Sequence, residues 1–193
     1  MFNKKGHGQS VEPIRQIDPE KIKIGDVTLV ASGTKVIIAV QEKYKYGESS
    51  KWTHVAGSIG GCDLVEGQVP WSRTCSLQKH YVDKGVEIRV LRKKDWDNEA
   101  KDRVKVALWW ATMNNTLYDI PQLFNYIIGL GHGKLWLSLR NRFNNHKTLI
   151  CSELVVNGFF KEGYNLFNKP AGNVLPADYD NTDIFDIVED VWV

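Results

Sequence analysis

The apolar residues of this chain change their repeat near Asp97, and that change limits the folds open to it. Before it, apolar and β-branched residues form short strand-like stretches: Val27–Ala31, Trp52–Ile59, Leu64–Gly67, and Val86, Ile88 and Val90 alternating with Glu87 and Arg89. A period of two puts alternate side chains on one buried face. Trp52–Ile59 and Leu64–Gly67 flank Gly60-Gly61, which predicts a hairpin. One short helix interrupts this half, with Val36, Ile37, Val40 and Tyr44 at helical spacing behind the cap residues Ser32 to Thr34.

After Asp97 the helical period takes over. Ala100, Val104, Ala107, Leu108 and Ala111 share one predicted face, on a helix ending near Asn114-Asn115. Asp119 and Pro121 predict the cap and first turn of a second helix, carrying Phe124, Ile127 and Ile128 and broken by Gly129 to Gly133. A third runs from Cys151 to Lys161, with Leu154, Val155, Gly158 and Phe159 inward and Gly163 as its terminator. Ile184 to Val188 predicts a last strand. The expected fold is a single α+β domain over residues 21–193. A loosely held polar arm, residues 1–20, precedes it, with Gly6, Gly8, Pro13 and Pro19.

Composition excludes several classes of function. At 193 residues, roughly 70% of the unfolded surface can be buried, so no disulfide or metal staple is needed. The 25 Lys and Arg nearly balance 23 Asp and Glu, which argues against nucleic acid or an acidic membrane as the main partner. Cys62, Cys75 and Cys151 are odd in number, far apart and without a Cys-x-x-Cys pair, so neither a zinc ribbon nor a disulfide framework is expected. No apolar run approaches the ~20 residues of a membrane helix. The basic residues after Met1 have no apolar core behind them, so no secretory signal is expected. The chain is expected to be cytoplasmic as made and to reach a periplasm or wall only by a signal-independent route.

Three residues carry candidate chemistry. Cys151 lies at a predicted helix start, where unpaired N–H groups and the dipole favour an anion and so a thiolate. A buried structural cysteine fits the same pattern. His54, in Trp52-Thr53-His54-Val55-Ala56, can act as a base if its ring is held, although a lone strand histidine is more often hydrogen-bonded scaffold. Glu66 sits in an apolar strand and needs a partner if it faces inward. Its parity supplies a test: His54 and Glu66 share a face only if the hairpin loop is odd in length or the pair is bulged. A three-residue loop Gly60-Gly61-Cys62 would set Ala56 opposite Glu66 and leave His54 diagonal to it, within side-chain reach.

Taken in order, these fragments resemble the circularly permuted NlpC-type papain-like cysteine hydrolases, the YiiX-like group related to lecithin:retinol acyltransferase. Lys23-Ile24-Gly25-Asp26-Val27 is similar to the family's opening Gly-Asp strand, and Trp52-Thr53-His54-Val55-Ala56 to its histidine strand. Leu64-Val65-Glu66-Gly67 resembles the strand of the third, polar member, and Leu117-Tyr118-Asp119 the Tyr-Asp pair ahead of the cysteine helix. Ile150-Cys151-Ser152-Glu153-Leu154-Val155 resembles the nucleophile motif, and Leu175-Pro176-Ala177-Asp178 a Pro-x-Asp segment after it. Histidine before cysteine marks the permuted branch. Two departures stand out: Gly57 and Ser58 replace larger strand residues, and the segment from Leu123 to Ile150 has no match.

The resemblance implies a permuted papain-like fold, an antiparallel sheet packed against helices. It implies Cys151 as nucleophile, His54 as base and Glu66 as the group orienting His54. Tyr118 and Ser152 are candidate oxyanion- or substrate-positioning residues, beside a backbone N–H of the Cys151 helix. Neither metal nor cofactor is expected. The implied reaction is amide hydrolysis through a thioester, first in peptidoglycan peptides, next in a lipid or acylated small molecule. A phage enzyme or a secreted antibacterial effector fits such a protein, the latter with an immunity protein as partner. An acyltransferase using the same thiol and a non-catalytic papain-like binding module are the alternatives.

Other features have plainer readings. His80, His132 and His146 lack ligand spacing, and Gly129–Gly133 lacks the ending of a phosphate loop. Lys101, Arg103 and Lys105 predict a solvated helix face. Of Trp109 and Trp110, one indole should pack inward. Lys134, Arg140, Arg142 and Lys147, with Trp136 and Phe143, form a possible anion-binding cluster.

Overall fold

A computed structural model describes residues 15–96, 100–119 and 148–193. The elements run β1 (Val27–Ala31), α1 (Lys35–Lys43), β2 (His54–Gly60), β3 (Asp63–Glu66), β4 (Arg73–Ser76), α2 (Leu77–His80) and β5 (Glu87–Lys93). They continue with α3 (Ala100–Thr112), β6 (Leu117–Tyr118), β7 (Thr148–Leu149), α4 (Cys151–Lys161), α5 (Pro176–Asp180) and β8 (Phe185–Ile187). Six strands form one antiparallel sheet in the order β4-β3-β2-β1-β5-β8, while β6 and β7 make a separate parallel pair. The fold is α+β, an antiparallel sheet packed against helices.

Both faces of the sheet are covered, which explains why β1 and β2 are buried along nearly their whole length. Val27, Leu29, Val55 and Val65 join Val106, Trp110, Leu154, Val155 and Phe159 of α3 and α4 in the larger core. Val30, Ala56, Leu64 and Val90 pack on the other side against Leu77, Tyr81, Val82 and Ile17. Within the expected N-terminal arm, Ile17 pairs with Trp192 and is buried, and Asp18 donates its N–H to the Val191 carbonyl.

The rotation of α3 differs from the expected one. Ala100, Val104, Leu108 and Ala111 are exposed, and the inward stripe is Arg103, Val106, Ala107 and Trp110, of which only Ala107 belonged to the predicted face. Arg103 is therefore half-buried rather than part of a solvated face, while Lys101 and Lys105 do face solvent. Trp110 decides the rotation. Its indole fits between Gly57 of β2 and Gly158 of α4, where a Cβ at either glycine would overlap the ring. Its Nε1 donates to the Val155 carbonyl at 3.1 Å. The small residue at position 57, a departure from the larger strand residues of the family it resembles, thus makes room in the core for Trp110.

Helix α4 begins and ends at the expected residues, with the expected inward set buried. The β2–β3 hairpin has the expected register by a different device. Ala56 pairs with Glu66, but Gly60 pairs with Asp63 across a two-residue turn and a bulge falls between Ser58 and Gly60. The short elements β4, α2, α5, β6 and β7 have too few residues to show a period. The predicted helix after Pro121, its Gly129–Gly133 break, His132, His146 and the basic cluster lie outside the described residues. Among the described residues no helix is long and apolar enough to cross a membrane.

Candidate active site

Three segments distant in sequence meet where α4 reaches the end of the sheet. Ile150 caps α4 with extended backbone and makes no side-chain cap bond to its first turn. Cys151 is the first residue of that turn and is buried. Its sulfur faces the His54 ring and the backbone N–H groups of Val55 and Ser152. The chain can approach so closely because residue 67 is glycine: a Cβ there would lie 3.0 Å from both the Cys151 N and Cα.

His54 opens β2, and its Nε2 donates to Glu66 Oε2 at 2.9 Å, leaving Nδ1 for Cys151. The bulged register makes this diagonal reach across the hairpin possible. Glu66 is fully buried and intensively satisfied. Arg73, its cross-strand partner, donates Nε to Oε1 at 2.9 Å, and Tyr81 donates its hydroxyl to Oε2. The Cys75 thiol also donates to Glu66.

The electrostatics follow from these contacts. Burial raises the pKa of Glu66, but its bonds to His54, Tyr81 and Arg73 outweigh that and bring it to about 2. Glu66 is an anion at any ordinary pH. Burial likewise opposes charge on His54 and Cys151. Each nevertheless stabilises the other's charged form, so His54 is raised to about 10 and Cys151 is held below the usual thiol range. Both shifts favour a thiolate-imidazolium pair. The other two cysteines behave differently: burial and the neighbouring Glu66 carboxylate push Cys75 up to about 12, and Cys62 is also raised by burial.

Ser152 and Tyr118 have different places in this arrangement. The Ser152 hydroxyl donates to the Val174 carbonyl at 2.5 Å, so that side chain is committed to scaffold and only its N–H faces the sulfur. Tyr179 ties down the same turn by donating its hydroxyl to the Ser152 carbonyl at 2.9 Å. Tyr118 packs beside Ile150 and Leu175 and lines the cleft.

A buried polar frame ties the segment before the histidine strand to the segment after the cysteine helix. Gln41 of α1 donates Nε2 to the Ser50 and Trp52 carbonyls and accepts from the Ala177 N–H, each at 2.9 Å. Asp180 accepts from Ser49 Oγ, Trp52 Nε1 and Arg89. Asp178, the acidic residue of the Pro-x-Asp segment, accepts from the Leu175 N–H, the Tyr46 hydroxyl and Lys169. Thr53, next to the histidine, bonds the Ser32 hydroxyl at 2.8 Å.

The sulfur and the imidazole open onto a cleft of about 300 Å³. Ile37, Val69, Val86 and Leu175 supply apolar wall, and Thr34, Gln68, His80 and Lys84 supply polar groups. Sequence reasoning brought Cys151, His54 and Glu66 forward and missed Arg73, Tyr81 and Gln41. The first lies on a strand of four residues with no visible alternation, and a buried glutamine leaves no pattern. Among the described residues no group of three or more His, Cys, Asp or Glu is placed to hold a metal ion. No protein-family model and no curated protein matches this chain.

Proposed function

We propose that this protein is a cysteine hydrolase of permuted papain-like type that cleaves an amide bond through an acyl-thioester on Cys151. The observation that carries the reading is the buried line of Cys151, His54 and Glu66 at the mouth of a cleft, with Glu66 anchored as an anion. In the resting pair His54 already holds the proton. The thiolate attacks the carbonyl carbon, the C–S bond forms, and the carbonyl electrons move to oxygen. Collapse breaks the C–N bond, and the His54 proton goes to the leaving amine. His54 then takes a proton from water, whose oxygen displaces the sulfur and restores the pair. A backbone N–H at the start of α4 is the donor for the oxyanion, worth about 3 kcal/mol when aimed at it.

The first substrate to test is a peptidoglycan peptide. Purified sacculi and a lipid panel are incubated with the protein and with Cys151→Ala, and products are read by mass spectrometry. The reading expects muropeptide amide bonds to open only with the intact thiol. Cys151-dependent release of fatty acid would redirect it to lipids, and a new amide in the presence of an added amine would make the protein a transferase. If no substrate in either panel changes and Cys151 labels no faster than a free thiol, catalysis is rejected.

A further inference from the structure

The charges around the cleft are lopsided. Among the described residues no Asp or Glu lines it, whereas the cationic Lys84 and His54 do. Glu66 lies behind His54, fully buried, and Arg73 is bonded to it. Two anions, Cys151 and Glu66, thus face three cations, His54, Arg73 and Lys84. The excess positive charge sits on Lys84 at the rim. Lys84 has no carboxylate partner among the described residues: its neighbour Asp83 accepts from Gln78 Nε2 at 2.7 Å instead.

His80 adds a ring N–H donor to the cleft lining. Arginine can only donate, so the contact between Arg73 Nη2 and His80 Nε2 makes Nε2 an acceptor and puts the ring proton on Nδ1. Burial and the Arg73 charge keep His80 neutral, its pKa below the ordinary histidine value. Its ring stands edge-on to Tyr81, with centroids 5.1 Å apart, on the same wall as the catalytic imidazole. A fixed N–H donor beside an unpartnered ammonium is the chemistry that receives an anion in a cleft with low-dielectric walls.

We infer that the cleft selects an acyl donor with a carboxylate or phosphate close to the scissile carbonyl, held by Lys84 and His80. This rests on the nucleophile reading of Cys151 and adds the charge of its substrate. The test compares alkylation of Cys151 by iodoacetate, an anion, and by iodoacetamide, its neutral counterpart. Sites are resolved by peptide mass spectrometry, with Cys62 as an internal reference. In each variant the readout is the ratio of the two rates, which cancels changes in thiol reactivity. Lys84→Gln is expected to lower the iodoacetate preference about threefold and Lys84→Glu about tenfold, the range of a partly exposed charge pair. Added salt should shrink the difference.

Acetate and inorganic phosphate, compared with sodium chloride at equal ionic strength, then show which anion the subsite takes. Better protection of Cys151 by either one supports the subsite. Fast labelling with a ratio indifferent to residue 84 overturns the anion subsite and leaves the nucleophile standing. Labelling of Cys151 no faster than Cys62 with both reagents overturns both.

Discussion

At the scale of residues, Glu66 adds a buried charge to the pair that Cys151 and His54 form with each other. A lone carboxylate with no exposure would be driven to its neutral form, yet this one is bonded by His54, Tyr81 and Arg73 and stays ionised. Cys151 first and Glu66 second favour the imidazolium, and the imidazolium in turn favours the thiolate. This order predicts the pH behaviour. Because His54 in the folded state is raised to about 10, its contribution to stability is complete below the unfolded histidine value and is lost as pH rises through 10. Hydrolysis should therefore have an alkaline limb near pH 10 as the imidazolium loses its proton, and an acid limb below the ordinary thiol pKa of about 8.5. In His54→Ala, the midpoint for Cys151 alkylation should move up towards that value, since burial is then opposed only by the Val55 and Ser152 N–H groups. A midpoint unchanged in His54→Ala would remove the ion pair from the mechanism.

At the scale of elements, glycines decide how close two pieces of backbone can come. Gly67 lets the end of β3 touch the start of α4, and Gly57 and Gly158 let β2 and α4 enclose Trp110. The two sites should respond differently to a methyl group. Gly158→Ala overpacks the core and should cost about 1–3 kcal/mol, seen as a lower denaturant midpoint, with the thiol still reactive in the folded fraction. Gly67→Ala pushes on Cys151 itself, 3.0 Å away, and should slow alkylation at Cys151 well before it lowers the midpoint. Equal effects of the two variants on both measurements would contradict this division.

At the scale of the whole molecule, the site exists because the frame of Gln41 and Asp180 ties the segment before β2 to the segment after α4. Gln41→Leu keeps much of the volume but leaves two carbonyls and an N–H without their partner, at about 1–3 kcal/mol for each buried group left bare. Unfolding in urea should show a loss of several kcal/mol. The further expectation is looser coupling: amide exchange should quicken around residues 50–53 and 175–178 together, and exchange that quickens in one segment alone would show that Gln41 does not join them.

What could be read ahead of the fold follows from the range of each interaction. β1, β2, β3, β5 and α4 were legible because alternation and helical spacing are local, and the same locality marked Cys151 at a helix start. The hairpin register was legible too, since parity allowed a bulge as one way to put His54 and Glu66 on one face. The rotation of α3 was not. Leu108 and Trp110 both satisfy an apolar stripe, and only the slot between Gly57 and Gly158 selects Trp110. Nor could the sequence show that Arg73 and Tyr81 converge on Glu66, or that Gln41 bridges segments on either side of the site. Periodicity reports that an element has a buried side, and where two apolar stripes compete, as on α3, it does not choose between them. Which neighbour it is buried against, and so which charges offset each other, depends on contacts that form only when the chain packs.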